Sequence, residues 1–588
     1  MRNILPALVL LLFICLQGCD TALKKSNPAG QLAALFEDYK EYFLREFPEN
    51  ATYDGDHRYD DRLMDASDAA EKARLDSLRS FLSRAHAIDI KWLDKENRLS
   101  YQLFCNQLQD AIDGARFRWH YMPLTQQDGI HIVFPQIIEI QPFKTKADFQ
   151  NYQKRLQAFP RQVHDIIANM RLGIAAKLVI PAFSVQQILE QIKPFISLPA
   201  DSLPFAQPLA AMDSTWPAAQ QQEIKDGILQ AISTNIIPAY QKLADFLGRE
   251  YMPHARTQDG IWSLPDGAER YAWAIRTQTT TTMSAEEIYQ LGLQEVKRIT
   301  AQMEQIKQKA GFQGSLKEFN QFLLKDPRFI YTDKNLMLQD YKSILHKVDS
   351  QLPKLFGRLP KAAYALKEIE AYRAASAPQA YYYGAPLDRS RPGYFYVNTY
   401  DLASRPRFTM TALALHEAVP GHHLQISIAQ ELDNLPWVRR QMGFNAFVEG
   451  WALYAESLGD EMKLYDDPYQ HYGALNFEMW RACRLVVDAG IHARKMTREQ
   501  AVQYMLEHAG NSELDTRSEV DRYIVWPGQA LAYKIGQITI SNLRKEAQKK
   551  MGSRFNLSAF HDKVLGSGAI PLDILRGNIQ AWIHGSDQ

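Results

Sequence analysis

Residues 411–425 read TALALHEAVPGHHLQ, and both the fold and the chemistry of this chain turn on how that stretch is shaped. His416, Glu417, His422 and His423 fall within eight residues, behind an apolar helical run at 412–415. A helix carrying His-Glu-x-x-His presents both imidazoles on one side, about 6 Å apart along its axis, with the glutamate beside them as a base. Here the residue four after His416 is Pro420, so an unbroken helix cannot supply the second ligand at that place. Six and seven residues on, His422 and His423 would stand about 9 and 10.5 Å up the axis, too far to chelate with His416. Pro420 cannot donate to the carbonyl of His416, and Gly421 accepts backbone angles closed to other residues. Val419, Pro420 and Gly421 are therefore expected to form a bulge that absorbs two extra residues. His422 then takes the place of the second ligand. His423, nearly in phase with His416, is the competitor, and whichever is not a ligand is expected to stand behind the ligands.

Outward from the motif the pattern is helical. Apolar residues recur at three- and four-residue spacing over 32–47, 93–112, 149–172, 224–247 and 285–310. The last opens on Ser284 three residues before Glu287, a capping box. Strand–helix alternation is missing, which disfavours a parallel doubly wound sheet. One segment departs from this texture: 380–399, AYYYGAPLDRSRPGYFYVNT, alternates like a strand over 393–399. It is expected to be a hairpin or edge strand, either purely structural or pairing with an extended substrate, in which case Tyr394 and Tyr396 line the substrate.

Four stretches together resemble a bacterial lipoprotein family catalogued as domain of unknown function 885: HEAVPGHHLQ, FPENATYDGDHRYDDRL at 47–63, GYFYVNT at 393–399 and RYIVWPGQALAYKIG at 522–536. More distantly the motif is similar to helical gluzincins such as angiotensin-converting enzyme, thimet oligopeptidase and carboxypeptidase Taq, which place a glycine directly before the second histidine, as Gly421 precedes His422. Dipeptidyl peptidase III tolerates one inserted residue there. This resemblance implies a mainly α fold, two lobes around a deep cleft with a small β-sheet near the metal. It also implies a third ligand from a glutamate on a following helix, which 444–458, FNAFVEGWALYAESL, can supply. Glu449, 27 residues after His422, is the expected ligand, and Glu456 the alternative or a supporting group. Two histidines and one carboxylate hold one Zn2+ with a position left open, the arrangement of catalytic zinc sites. Glu417 is then the general base. An oxyanion needs a further donor, for which Tyr523 or Tyr533 is expected, with Arg522 or Lys534 left for a substrate carboxylate.

The remaining features bound the setting. Met1 and Arg2 followed by an apolar run at 4–16 and Leu16-Gln17-Gly18-Cys19 form a lipoprotein signal, so the expected organisation is a signal at 1–18, a lipidated tether at 19–30 starting on Cys19, and one helical domain over 31–588. The location implied is the periplasmic side of a bacterial envelope, held to the membrane through Cys19. With 67 basic and 67 acidic residues the chain lacks the excess positive charge of a nucleic-acid binder. Only Cys105 and Cys483 remain in the body, which allows one disulfide and no framework of them. The function expected is zinc-dependent cleavage of short peptides. The alternatives are a zinc amidase or esterase of the same fold, or a non-catalytic envelope lipoprotein with a degenerate motif.

Overall fold

Helix α1 (Pro28–Glu46) begins where local chemistry allows it: the Asn27 side chain accepts from the N–H of Gly30, and Pro28 occupies the first turn, where its missing N–H is not needed. The computed structural model describes residues 27–585 except 371–373, 375 and 376. The expected tether therefore gives way to helix at Pro28. Its earlier part, Cys19 and the signal stretch lie outside the described residues. Helix α2 (Asp68–His86) follows, then α3 (Lys95–Ala115), α4 (Lys146–Ala176) and α5 (Ala285–Lys309) lie where the apolar periodicity put them, and the Ser284–Glu287 capping box is formed on both sides. The stretch expected as one helix at 224–247 is interrupted instead. Wider turns at Ile232–Ile236 and Phe246–Tyr251 flank Ile237–Asp245, the first of them where Pro238 has no N–H to return to the preceding turn.

Strands β1 (Tyr364–Glu368), β2 (Ala380–Tyr383) and β3 (Gly393–Val397) form a sheet in the order β1-β3-β2, β3 running parallel to β1 and antiparallel to β2. The 380–399 segment thus forms the expected hairpin of β2 and β3, with β2 at an edge of the sheet and β3 in its centre, bonded on both sides. Directly opposed residues share a face. Tyr382 opposes Phe395 and carries the sheet onto the motif, whereas Tyr394 and Tyr396 point to the other face.

The motif itself forms α6 (Met410–Glu417) and α7 (His422–Gln430), followed by α8 (Asn445–Ser457), α9 (Pro468–Ala493), α10 (Glu513–Val525) and α11 (Leu531–Met551). Buried apolar side chains gather into one cluster drawn mostly from 124–251 and a larger one from 32–108 and 261–583 that encloses the motif. The framework is mainly helical with a small sheet. Two clusters do not by themselves make two lobes around a deep cleft, and the functional side chains described below are enclosed. Cys105 and Cys483 are both buried and free.

Helices α8 and α11 cross with their backbones in contact. A Cβ on Gly450 would stand 2.4 Å from the Cα of Gly536, and one on Gly536 would stand 1.8 Å from the carbonyl oxygen of Ala446. No side chain can be inserted there without separating the helices. Gly536→Ala is expected to lower unfolding free energy by about 1–3 kcal/mol or more. Gly577→Ala, on a helix where an added Cβ meets nothing within 4 Å, should instead be neutral or stabilising by up to about 1 kcal/mol. Denaturant titration of both variants checks the contrast, and equal effects would refute the crossing.

Candidate metal centre

Every residue of α6 from Met410 to Glu417 is buried, so the helix enters the core and delivers His416 and Glu417 at its end. Residues 418–421 then form the bulge before α7 starts at His422, with the Val419–Pro420 peptide in the cis form. Gly421 is demanded by room: its φ is −77°, but a Cβ would lie 1.9 Å from the carbonyl oxygen of His416. The N–H of His423 donates to the Ala418 carbonyl at 3.0 Å, and the Pro420 carbonyl accepts from the indole of Trp451 at 2.8 Å. Trp451 belongs to α8, so the helix carrying Glu449 also fixes the bulge.

The result is a convergence of three donors. The Nε2 atoms of His416 and His422 lie 3.6 and 3.4 Å from Oε2 of Glu449. One donor atom from each of the three residues lies within 4.8 Å of the others. Donors about 2.0–2.1 Å from a tetrahedral ion stand about 3.3–3.4 Å apart, so the carboxylate-to-imidazole spacings fit such an ion. Glu417 Oε2 and Glu449 Oε2 are buried without a hydrogen-bond partner among the described residues. Buried carboxylate oxygens in that condition call for a compensating positive group. The residues present therefore fit a divalent cation held by His416, His422 and Glu449.

Behind these donors, Nδ1 of His416 meets Glu456 Oε1 at 2.7 Å, and Nη2 of Arg481 lies 3.6 Å from the same oxygen. That contact leaves Nε2 of His416 facing Glu449. Burial pushes the His416 imidazole down, but the neighbouring carboxylates of Glu449 and Glu456 more than reverse this and bring it to about 9. Glu449, which burial alone would push up, is held well below the usual carboxylate range by the two imidazoles. His423 takes no part in the convergence. Its Nδ1 meets the Tyr382 hydroxyl at 2.9 Å and Ser427 Oγ at 3.3 Å, its ring packs on Tyr364, and burial pushes it down to about 4. It joins the sheet to α7 as a neutral ring, and Gly393 leaves space for the Tyr382 hydroxyl, which a Cβ would approach to 2.1 Å.

The other expected residues separate. Tyr533 lies by the donors, its ring nearly parallel to that of His416 at 6.3 Å, and among the described residues its hydroxyl has only a long contact of 3.4 Å from Gln529. Tyr523 is not available in the same way. Its hydroxyl accepts from Trp480 and Arg484 at 3.0 and 2.9 Å and donates to Glu519 at 2.9 Å. Lys534 is fully buried in ion pairs with Glu478 at 2.6 Å and Glu295 at 3.0 Å, which ties α11 to α9 and α5 and removes it from any substrate. Arg522 pairs with Glu519 at 2.8 Å and donates to Gln529 at 2.6 Å. Tyr394 and Tyr396 are not brought to the donors. They lie on the opposite sheet face, where the Tyr396 hydroxyl donates to Glu139 at 2.6 Å and accepts from Lys367 at 2.8 Å. Arg481, Arg484, Glu519 and Trp451 were not singled out from the sequence. The signal was there for the arginines: in MWRACRLVV, at 479–487, two charges sit in a run too apolar to have a solvated face.

Two histidines and a carboxylate thus converge on a mainly helical scaffold, with a second glutamate, Glu417, beside the first histidine. Residues 48–579 match the family described as "Bacterial protein of unknown function (DUF885)", and the chain belongs to that family. It is similar over 95 % of its length to 99 % of a Colwellia psychrerythraea protein described as a "putative lipoprotein", with 30 % identity and a TM-score of 0.91. A Shewanella oneidensis protein described likewise, of unknown function, shares the fold at 20 % identity and a TM-score of 0.70, over 93 % of this chain and 99 % of that one. These descriptions fit an envelope location. No curated protein matches the chain.

His422→Ala is expected to abolish stoichiometric zinc binding, while His423→Ala should retain it and lose thermal stability, since it leaves the Tyr382 hydroxyl without that partner. Glu456→Gln should weaken zinc roughly 10–100-fold by loosening His416. Metal analysis and a chelator competition distinguish the three, and full zinc occupancy in His422→Ala would overturn the assignment.

Proposed function

We propose that this protein is a zinc-dependent metallohydrolase of the bacterial envelope, and specifically a peptidase acting on short peptides. The observation that carries the reading is the pairing of the His416–His422–Glu449 donor set with the partnerless carboxylate oxygen of Glu417, the next residue after the first donor. A structural or binding site has no use for such a base. Bound zinc would acidify a water toward pKa ~7 and polarise a carbonyl. Glu417 takes the proton of the attacking water at its free oxygen and returns it to the leaving amine. Glu456 holds the His416 ring through Nδ1. The Tyr533 hydroxyl donates to the oxygen that becomes negative, a role open to it because its hydroxyl has no strong partner. An extended substrate backbone has an edge to pair with in β2, which packs against α6. His416, His422 and Tyr533 are buried and Glu449 only partly exposed, a setting closed to folded proteins, which supports short peptides as the substrate class.

Glu417→Gln should keep zinc and lose hydrolysis of a mixed peptide library, because glutamine keeps the shape and cannot take the proton. Tyr533→Phe should lower kcat about 10²–10³-fold with zinc retained. A wild-type protein that holds zinc yet cleaves no peptide, amide or ester would refute the hydrolase reading and favour a binding lipoprotein.

The anchor is proposed separately, on the sequence 16–19 and the lipoprotein descriptions of the relatives. Cys19→Ser should move the protein out of the membrane fraction or stall its maturation, with the activity of the folded domain unaltered. Unchanged membrane association in fractionated cells would count against lipidation.

A further inference from the structure

Helices α9 and α10 bury three guanidinium groups beside Tyr533. Arg484 stacks on the Tyr533 ring at 4.3 Å and on Trp480 at 4.8 Å, and its Nη2 meets Glu519 at 2.9 Å. Arg522 meets the same Glu519 oxygen at 2.8 Å, and Arg481 lies 3.6 Å from Glu456. Three cations thus share two carboxylates, one of which also serves His416. Three of their donors, Nη1 of Arg484, Nε of Arg522 and Nε of Arg481, are buried with no hydrogen-bond partner among the described residues. Guanidinium donors with no acceptor in an interior, in a cluster with one positive charge in excess, are matched to an anion, and the planar fork favours a carboxylate.

We propose that Arg484 and Arg522 form a receiving site for a substrate carboxylate, the free C-terminus of a short peptide, beside Tyr533. The peptidase reading supplies the identity of this ligand, while its negative charge follows from the arginines alone. Arg484 stands at most about 11 Å from the His416 ring, the two separations through Tyr533 laid end to end. That span is about three extended residues, so a peptide held here presents its last one to three residues beyond the bond at Glu417. Arg522 and Gln529 are the partly exposed members of the group and form its outer side. Lys534, neutralised by two carboxylates on the far side of α11, does not compete for the role. Glu519, which accepts from both arginines and from Tyr523, is a positioning residue that holds the forks in place.

The test uses the mature protein with zinc and after chelation, with N-acetyl-trialanine and its C-terminal amide as probes in calorimetry. The acid is expected to bind at least about tenfold more tightly than the amide in both forms, the effect of charge-assisted hydrogen bonds. Arg522→Gln should remove that preference, and with a cleavable peptide should raise KM while changing kcat little. Gln529→Glu, which sets a carboxylate against Arg522, should remove it also and keeps the proposal testable if Arg522→Gln does not fold. Equal affinity for acid and amide, or an acid preference that survives in folded Arg522→Gln or Gln529→Glu, overturns the proposal. Acid preference without any cleavage would instead sink the peptidase reading and leave the carboxylate site standing.

Discussion

The hydrogen bond from the Trp451 indole to the Pro420 carbonyl is the contact on which the site's geometry depends. In a continuous helix the phase between two ligands is set by the backbone ladder itself. Here that ladder stops at Glu417 and restarts at His422, so the relation between the two imidazoles must be fixed from outside. Helix α8 does this with three residues. Glu449 faces both imidazoles, Trp451 holds the bulge, and Glu456 holds the back of His416. A buried carbonyl without a donor costs about 1–3 kcal/mol, so the indole also removes a penalty that the break in the helix creates. Gly421 completes the arrangement, since only a residue without a side chain fits against the His416 carbonyl.

The same helix is clamped on its other side. Because α8 and α11 touch backbone to backbone at Gly450 and Gly536, Tyr533 is carried to the face of His416, three residues before the crossing on α11. Lys534, the next residue, is locked between Glu478 and Glu295 and so stops α11 from rotating about its axis. An ion pair whose lysine is fully buried adds little net stability, because desolvation offsets most of the attraction. Its value here is orientation: a turn of α11 that withdrew the Tyr533 hydroxyl would also strand a lysine in the core.

Much of this was legible in the sequence because it rests on local rules. Pro420 forbids an unbroken helix, and Gly421 marks the point of closest approach, so the bulge between His416 and His422 follows from residue types alone. The Ser284 capping box and the long amphipathic helices follow in the same way. What escaped depends on partners far along the chain. Nothing at 393–397 says whether that strand lies at an edge or in the middle, because the neighbour that makes it central is β1, some thirty residues earlier. Tyr523 and Tyr533 look alike in RYIVWPGQALAY, yet α9 supplies Trp480 and Arg484 to occupy the first hydroxyl and leaves the second with one weak contact. Lys534 next to Tyr533 reads as a cation available to a substrate carboxylate until α5 and α9 close over it.

The arginines of α9 show why the supporting charges sit where they do. Glu417, Glu449 and Glu456 bring three carboxylates around two imidazoles inside the core, where like charges repel one another strongly. Arg481 lies 3.6 Å from the Glu456 oxygen that also meets Nδ1 of His416, so a positive charge stands beside that carboxylate. One helical turn on, Arg484 packs on the Tyr533 ring at 4.3 Å, and that ring lies 6.3 Å from the ring of His416. One aromatic side chain therefore borders both the arginine cluster and the donor set. Removing that ring would do more than delete a hydroxyl: Arg484 and His416 would both lose a surface that borders them. A phenylalanine in its place keeps the ring, so the hydroxyl's contribution can be separated from the ring's.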